Sequence, residues 1–360
     1  AGDVASAIVR QVAGTVGYFH HQGCCQLPPD LDRVTETLIS LGKSPNVAAV
    51  LVVSLGCEGT DHERLTAEIR KTGKPVRIIR IQELGGVSAA IKAGIDAAQE
   101  LVMLVSGIQR QPVSIDRITM AIKCGASDTT SGMASNCVVG YVADKLVDLG
   151  ATVIFGETTE FLGGEHLLAR RAVNKEVADK IYEIVTNMEN RAKSIGCDMR
   201  KGQPTPGNIA GGLSSIEEKS LGAIVKSGTR PIQGVMEYPE TIGQRKGLWI
   251  KDTPGREPEI LTGMAATGAQ FMMFSTGRGA PQGFPTMPVL KVCGNPNTYE
   301  RMSHDMDINA GRIITGEKSI EEVGEEAFSA ILDLLSGKQT KNETLGYHSS
   351  IDIYTLGPVI

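Results

Sequence analysis

An apolar run near residue 50 sets the architecture expected for the first third of the chain. Val47 to Leu55 (VAAVLVVSL) is almost entirely apolar and rich in valine, which is typical of a parallel strand covered on both faces. A helix-like segment follows, with a capping box predicted to begin at Thr60. Pro75 to Ile81 (PVRIIRI) predicts a second strand, and Gly85-Gly86 precedes a long segment with helical periodicity. This β-α-β-α order predicts a parallel sheet with right-handed crossovers.

The pattern changes near residue 112 and then resumes its alternation over a longer stretch. Strands are predicted at 117–123, 152–155, 232–235, 248–250, 270–274 and 289–292, and helices at about 134–148, 174–195, 215–227, 257–267 and 318–336. We therefore predict an α/β fold of two α/β domains with mostly parallel sheets flanked by helices. Residues 1–111 would form a smaller, Rossmann-like domain, and residues 112–360 a larger, catalytic one.

Composition narrows the class of function. Thirty-six Lys and Arg residues against 41 Asp and Glu give a net charge of −5 without a basic block, so no nucleic-acid partner is expected. No apolar run reaches the roughly 18–20 residues that span a bilayer. Seven scattered cysteines, an odd number, favour free thiols in a reducing compartment. We expect a cytoplasmic homo-oligomer without a membrane partner, and a processed or trimmed chain because it begins at Ala1.

A polar loop follows the strand predicted at 117–123. Residues 123–132 (KCGASDTTSG) combine two glycines with six side chains that donate or accept hydrogen bonds. Because ligands collect beyond the carboxyl ends of parallel strands, backbone amides here would form a seat for a carboxylate or phosphate. The alternative is an elaborate helix N-cap. The candidate substrate-binding residues in this loop are Ser127, Asp128, Thr129, Thr130 and Ser131.

An acidic loop follows the next strand of this half. Residues 156–166 (GETTEFLGGEH) place three carboxylates and one histidine within a short stretch, where like charges repel unless a cation relieves them. Glu157, Glu160 and His166 are candidate ligands for Mg²⁺, Mn²⁺ or Fe²⁺, which accept oxygen and imidazole donors. A solvated acidic loop is the alternative. Cys124, at the start of the preceding loop, is a further candidate ligand, whereas Cys137, Cys197 and Cys293 are expected to be buried.

Histidines and cysteines also pair up near the amino terminus, in residues 19–25 (FHHQGCC). Neighbours in an extended segment point to opposite faces, so at most one of each pair would face a single site. The spacing matches no zinc motif. His21 is kept as a candidate metal ligand.

The carboxyl-terminal half contributes a further set of candidates. Arg278 follows an apolar run and would present a bidentate fork to a carboxylate. Lys291 lies within a predicted strand, where a desolvated amine is a candidate base. Asn208 and Thr276 are candidate substrate-binding residues. Asp305 and Asp307 are read as surface charges, with extension of a metal cluster as the alternative.

Five segments in fixed order resemble one family: 123–132, 156–166, 207–221 (GNIAGGLSSIEEKSL), 274–279 (FSTGRG) and 288–296 (PVLKVCGNP). Together they resemble the altronate/galactarate dehydratase family, sugar-acid dehydratases that include the large subunit of sulfolactate sulfo-lyase. The resemblance implies β-elimination on a 2-hydroxy acid that depends on Fe²⁺ or Mn²⁺, with Mg²⁺ a further option. It also implies a small domain or subunit that completes the site.

The resemblance suggests roles for the candidates. Lys291 or His166 would take the C2 proton, while Arg278 and the amides around 128–131 would stabilise the enediolate. The expected reaction is dehydration of a sugar acid such as altronate to a 2-keto-3-deoxy acid. Two alternatives stay open: release of sulfite from sulfolactate, and a non-catalytic partner that binds a sugar acid.

Overall fold

Two parallel sheets, each flanked by helices, form the framework of the computed structural model, which describes residues 1–347 and 351–358. The strands are β1 (Val50–Ser54), β2 (Val76–Arg80), β3 (Thr119–Gly125), β4 (Thr152–Phe155), β5 (Ile232–Met236), β6 (Gly247–Lys251), β7 (Phe271–Thr276), β8 (Val289–Cys293) and β9 (Ile308–Asn309). The helices before residue 200 are α1 (Gly2–Val9), α2 (Pro28–Lys43), α3 (His62–Arg70), α4 (Val87–Val105), α5 (Asn136–Asp148), α6 (Glu165–Ala169) and α7 (Lys175–Ser194). The later helices are α8 (Pro206–Ala210), α9 (Ile216–Ile224), α10 (Glu257–Ala266), α11 (Pro296–Arg301), α12 (Gly311–Ile314), α13 (Ile320–Leu335) and α14 (Lys341–Leu345).

The smaller sheet pairs β1 with β2 in parallel, with Val50 opposite Val76. Alternate residues face opposite layers: Leu51 and Val53 pack with α1 and α4, whereas Val50 and Val52 pack with α2 and α3. The run is apolar throughout because both faces are covered by helices. A cavity of about 620 Å³ lies beside this sheet, and its lining includes residues of β1, α1 and α4.

The larger sheet has the order β5-β6-β4-β3-β7-β8-β9, and all of its pairs are parallel. The chain places β4 on one side of β3 and later crosses to place β7 on the other side. Ligands bind outside the carboxyl ends of strands at such a switch point. The loops that follow β3 and β7 therefore flank the position where a ligand site is expected.

Two buried layers hold the larger sheet. Met120 and Ile122 of β3 face a cluster formed with α5, α7 and α13, while Ala121 faces a second cluster with α10. Helix α2 joins the two parts of the chain, because Ile39 packs in the smaller core and Leu41 in the second cluster of the larger one. The larger sheet is thus covered by packed helices on both faces.

The predicted α/β class with parallel sheets is confirmed, and every predicted strand overlaps an observed one. The predicted cap at Thr60 is wrong, since the Asp61 carboxylate accepts the Arg64 amide at 2.9 Å and caps α3. Helix α2 and the two-residue strand β9 were not predicted. The domain boundary near residue 112 stays a prediction. Among the helices that the structure describes, none combines the length and apolarity needed to cross a bilayer.

Candidate functional site

Loops after three adjacent strands meet around one buried carboxylate, that of Asp128. Its Oδ1 accepts hydrogen bonds from the Thr130 hydroxyl at 2.6 Å and the Ser131 amide at 3.2 Å. Its Oδ2 accepts from the Asn295 side chain, beyond β8, at 3.0 Å. Gly277, beyond β7, lies so close that a Cβ there would stand 1.9 Å from Asp128 Oδ1. The loops beyond the carboxyl ends of these three parallel strands therefore meet at one edge of the sheet.

A second pair of contacts ties this loop to α8 and to the residue that follows it. The Asn208 side chain donates to the Ser127 carbonyl at 2.9 Å, and the Thr129 amide donates to the Gly211 carbonyl at 3.1 Å. Asn208 and Ser127 are both buried. The predicted substrate-binding residues on the two segments thus lie together. The side-chain amide of Asn208, however, already donates to a backbone carbonyl.

The alternative expectation for this loop, a helix N-cap, explains part of the hydrogen bonding of Asp128. A carboxylate that accepts the amide three residues later is the usual N-cap arrangement. The Thr130 hydroxyl and the Ser131 amide, which were expected to receive a substrate anion, point to Asp128 instead. Residues 131–135 then form a turn of π-helix, a feature frequent at functional sites. Thr129 is exposed and Thr130 half-buried, so their side chains remain accessible.

Thr276 ends β7 and Arg278 follows it, but the two side chains differ in accessibility. Arg278 is exposed, and its guanidinium forms no ion pair with any residue in the described ranges. Its amide donates to the Ala126 carbonyl at 2.9 Å, which fixes the loop beside Asp128. Thr276 is fully buried, and its hydroxyl accepts the Gly279 amide at 3.0 Å. Arg278 can therefore meet a ligand from solvent, whereas Thr276 supports the turn.

Beneath this edge lies a buried ionic group that we call the lysine–carboxylate cluster: Lys123, Cys124, Glu157, Glu160, Lys219 and Lys226. Glu157 is fully buried and accepts hydrogen bonds from Lys123 Nζ at 2.9 Å and the Cys124 amide at 3.0 Å. Lys226 Nζ also donates to Glu157 Oε2. One carboxylate thus binds two ammonium groups that are shielded from water.

Glu160 and Cys124 complete the cluster. Cys124 Sγ donates to Glu160 Oε2 at 2.9 Å, and Lys226 Nζ lies 3.0 Å from the same oxygen. Lys219 Nζ lies 3.2 Å from Glu160 Oε1. Cys124, Glu157 and Glu160 offer ligand atoms within 4.8 Å of one another, so by spacing alone the three could hold a metal ion.

The local charges determine the protonation of this cluster. Burial raises the pKa of the Cys124 thiol, and the charges of Glu157 and Glu160 raise it further. Burial alone would raise the pKa of Glu160, but Lys226 and Lys219 outweigh burial and hold the pKa well below its usual value. Burial lowers the pKa of Lys226, whereas its anionic neighbours raise it. The net result is a raised pKa. These directions keep Glu160 ionised, and Lys226 and the Cys124 thiol protonated, at neutral pH.

Backbone strain marks the ends of the two central strands that lead into the site. Ala126, just after β3, has φ 48°, and Glu157, just after β4, has φ 71°. A non-glycine residue in the left-handed region costs on the order of 1–3 kcal/mol and is frequent at functional sites. In Glu157 this conformation coincides with complete burial of the carboxylate among the lysines.

The other predicted residues lie outside the cluster. His166 is exposed on α6, and His21 Nδ1, on a mostly exposed side chain, lies 3.3 Å from Asp352 Oδ1. Lys291 is fully buried and donates to Asn342 Oδ1 at 2.9 Å. Burial lowers the pKa of Lys291 to about 7. Among the described residues, neither histidine lies close enough to join Cys124, Glu157 and Glu160.

Several secondary expectations also need correction. Asp307 is not a surface charge: its carboxylate accepts the Lys291 amide at 2.7 Å and the Lys341 amide at 3.0 Å. It therefore holds α14 against β8 and extends no metal cluster. Cys293 is buried as expected, but Cys137 is half-buried and Cys197 is exposed, because Cys197 follows the end of the amphipathic helix α7.

Two residues that build the site were not predicted. Lys226 is a single lysine at the end of an apolar stretch (LGAIVKSG), a position that usually indicates a cation at a helix carboxyl terminus. Asn295 was noticed only as part of a longer motif after β8. A lone charge inside an apolar run was the available signal for Lys226, but the sequence did not identify its partners.

Fold and site together define a parallel α/β protein with a polar site at the carboxyl edge of its larger sheet. Residues 115–359 match the model of the D-galactarate/altronate dehydratase carboxyl-terminal domain, and residues 1–106 match that of the D-galactarate dehydratase/altronate hydrolase second domain. The chain therefore belongs to the D-galactarate/altronate dehydratase family, a family of lyases.

Three relatives illustrate the similarity. The chain is 38% identical over 351 residues to (2R)-sulfolactate sulfo-lyase subunit beta of Chromohalobacter salexigens, covering 96% of this chain and 89% of that subunit. It is 36% identical to galactarate dehydratase (L-threo-forming) of Escherichia coli, covering 90% of this chain and 63% of the relative. It is 31% identical to altronate dehydratase of Bacillus subtilis, covering 90% and 64% respectively. The chain thus spans less than two thirds of each of these dehydratases.

Proposed function

We propose that this chain is the catalytic part of a lyase that removes water from a sugar acid such as altronate to give a 2-keto-3-deoxy acid. The observation that carries the proposal is the meeting of the loops after β3, β7 and β8 around Asp128, in a chain that matches this family over 1–106 and 115–359. Accessible hydroxyl and guanidinium groups border these loops, as recognition of a hydroxylated carboxylate requires.

The accessible residues are given the roles that contact substrate. Arg278 would bind the carboxylate and offset the charge that develops on it when the C2 proton leaves. Thr129 would hydrogen-bond a substrate hydroxyl. The Thr130 hydroxyl, which donates to Asp128, would accept a hydrogen bond from one. His166 is the remaining accessible candidate for the base, whereas Lys291 is enclosed by its contacts with Asn342 and the backbone.

The chemistry balances as a β-elimination. A base takes the C2 proton, the electron pair forms the C2–C3 double bond, and the C3–O bond breaks. The departing hydroxyl takes a proton and leaves as water. The resulting enol then tautomerises to the 2-keto-3-deoxy acid. No oxidant or reductant is needed.

The divalent metal implied by the family does not fit the buried group that has suitable spacing among the described residues. Cys124, Glu157 and Glu160 each have a hydrogen-bond contact with Lys226 Nζ, and Lys123 and Lys219 add further positive charge beside the two carboxylates. A metal there would add two positive charges to a buried group that already holds three ammonium groups. The proposed mechanism therefore takes no step through a metal in this group, and metal dependence of the reaction stays an expectation from the resemblance.

A second candidate reaction is release of sulfite from sulfolactate. The similarity to a sulfo-lyase subunit beta over 89% of that subunit favours it. Here the C2 proton leaves in the same way, but the C3–S bond breaks and its electron pair departs with sulfite. The enol that forms tautomerises to pyruvate. We also propose a small partner subunit, because that relative is itself named as one subunit of an enzyme.

One set of assays separates these reactions. The chain, alone and with a candidate small subunit, is incubated with altronate, galactarate or sulfolactate in the presence of Fe²⁺ or Mn²⁺. Keto-acid formation and sulfite release are then measured. We expect keto acid from a sugar acid without sulfite. Equimolar pyruvate and sulfite from sulfolactate alone would replace the first proposal by the second. Calorimetric binding of a sugar acid without either product would indicate a non-catalytic partner instead.

A further inference from the structure

Lys226 occupies the centre of the group that has metal-ligand spacing. Its Nζ lies 2.9 Å from Cys124 Sγ and 3.0 Å from Glu160 Oε2, and it is hydrogen-bonded to Glu157 Oε2. These three residues are the same three whose ligand atoms lie within 4.8 Å of one another. The ammonium group therefore contacts one potential ligand atom of each residue that would bind a metal ion at this place.

The charges of the cluster are consistent with a lysine in this position. The carboxylates of Glu157 and Glu160 face three ammonium groups, of Lys123, Lys219 and Lys226. A third carboxylate, of the partly exposed Glu257, lies 3.4 Å from Lys123 Nζ. With a neutral thiol the positive and negative charges therefore balance. A divalent ion added to this arrangement would raise the net charge to two, or to one if the thiol ionised. Burial makes such an excess of like charge costly.

We propose that Lys226 is the resident cation of the Cys124–Glu157–Glu160 group and excludes a divalent metal from it. A metal used by the enzyme would then have ligands outside this group. The inference does not depend on the proposed function, because it concerns occupancy of the group and not turnover.

Removing the ammonium should convert the group into a metal site. In Lys226→Met, the carboxylates of Glu157, Glu160 and Glu257 face only Lys123 and Lys219, which leaves the group with one net negative charge. A divalent ion bound by a Cys124 thiolate then adds one net positive charge. That total equals the charge of the wild-type group, in which Lys226 is protonated and the thiol is neutral. The variant therefore accepts a metal without exceeding the charge that the fold already tolerates.

Cobalt(II) titration of the whole chain tests the proposal, because thiolate ligation of Co²⁺ produces near-ultraviolet charge-transfer absorption. The wild-type chain should show no such band that depends on Cys124. Lys226→Met should bind one Co²⁺ per chain with a thiolate band, and the double variant with Cys124→Ser should lose the band. Lys251→Met is the matched control, since Lys251 is equally buried but bonded to the Glu240 carbonyl and the Thr267 hydroxyl.

Two results would overturn the proposal. One is a thiolate–cobalt band in the wild-type chain that disappears in Cys124→Ser. The other is a folded Lys226→Met chain that binds no Co²⁺ through Cys124. Lys226→Gln, which keeps a polar side chain without the charge, serves if the Met variant fails to fold. The wild-type and Cys124→Ser comparison decides the first result independently of either lysine variant.

Discussion

Replacing Glu157 with Gln tests whether the lysine–carboxylate cluster is held by its charge balance. The substitution preserves size but leaves Glu160 and the partly exposed Glu257 against three ammonium groups, and it turns an amide toward Lys123 or Lys226. Both of those lysines are fully buried and bonded to Glu157. Removing one partner of a buried ion pair costs about 3–5 kcal/mol. We expect a loss of that size in the free energy of unfolding, a large share of the roughly 5–15 kcal/mol typical of proteins.

The single tryptophan supplies a local probe for this measurement. Trp249 lies on β6 opposite Ile154 of β4, the strand that leads to Glu157. Urea unfolding followed by its fluorescence therefore reports the sheet that carries the cluster. Glu217→Gln is the matched control, because Glu217 forms only a half-exposed pair with Arg200 at 3.2 Å. That control should change stability by about 0.5 kcal/mol or less.

A double-mutant cycle separates charge balance from lost packing. In Glu157→Gln combined with Lys226→Met, Glu160 and Glu257 face Lys123 and Lys219, and the net charge returns to the wild-type value. The double variant should therefore be more stable than the sum of the single losses predicts, by about 1–3 kcal/mol. Additive losses within about 0.5 kcal/mol, or a Glu157→Gln cost below about 1 kcal/mol, would refute the charge-balance account.

Three further predictions concern separate parts of the molecule. Arg278→Ala should lower kcat/KM for the sugar acid about 10–100-fold through loss of a charged hydrogen bond, with an unchanged urea midpoint because the side chain is exposed. Burial lowers the pKa of Lys251 from 10.5 to about 7, so between these values the unfolded chain holds a proton that the folded chain lacks. Wild type should therefore gain about 2–3 kcal/mol over Lys251→Met from about pH 7.5 to 9.5 in urea titrations, and a flat difference would contradict this. Gly277→Ala should lose about 1–3 kcal/mol because its Cβ meets Asp128, whereas Gly107→Ala, with open space around it, should lose little in the same unfolding assay.

The sequence predicted the framework well because buried parallel strands leave a strong local signal. Val47 to Leu55 is apolar at both odd and even positions. The strand found within it, Val50–Ser54, is covered on both faces. Helix α2 was missed although Leu31, Val34 and Leu38 follow helical spacing and Pro28-Pro29 stand in its first turn, where proline is tolerated. Its burial comes from two separate cores, through Ile39 and Leu41. That arrangement depends on tertiary contacts that periodicity does not encode.

The candidate site was predictable at the level of loops and less so at the level of side chains. Asp128 follows β3 and Gly277 follows β7. Those positions were enough to indicate that the two residues lie near each other, because the carboxyl ends of parallel strands lie at the same edge of a sheet. It did not reveal that Asp128 accepts hydrogen bonds from its own loop. Nor did it pair Lys226 with Glu157, which lies 69 residues away in the chain. Such partners are set by packing and by the need to neutralise buried charge.

The division between buried and accessible residues gives the site a physical logic. Glu157 adopts a strained backbone conformation after β4, and its carboxylate accepts the Cys124 amide of the neighbouring strand end. Strain of about 1–3 kcal/mol persists only where surrounding contacts impose it. Here the ammonium groups of Lys123 and Lys226 supply those contacts. The buried charges therefore fix the strand ends, which leaves substrate recognition to the accessible residues on the loops that those ends support.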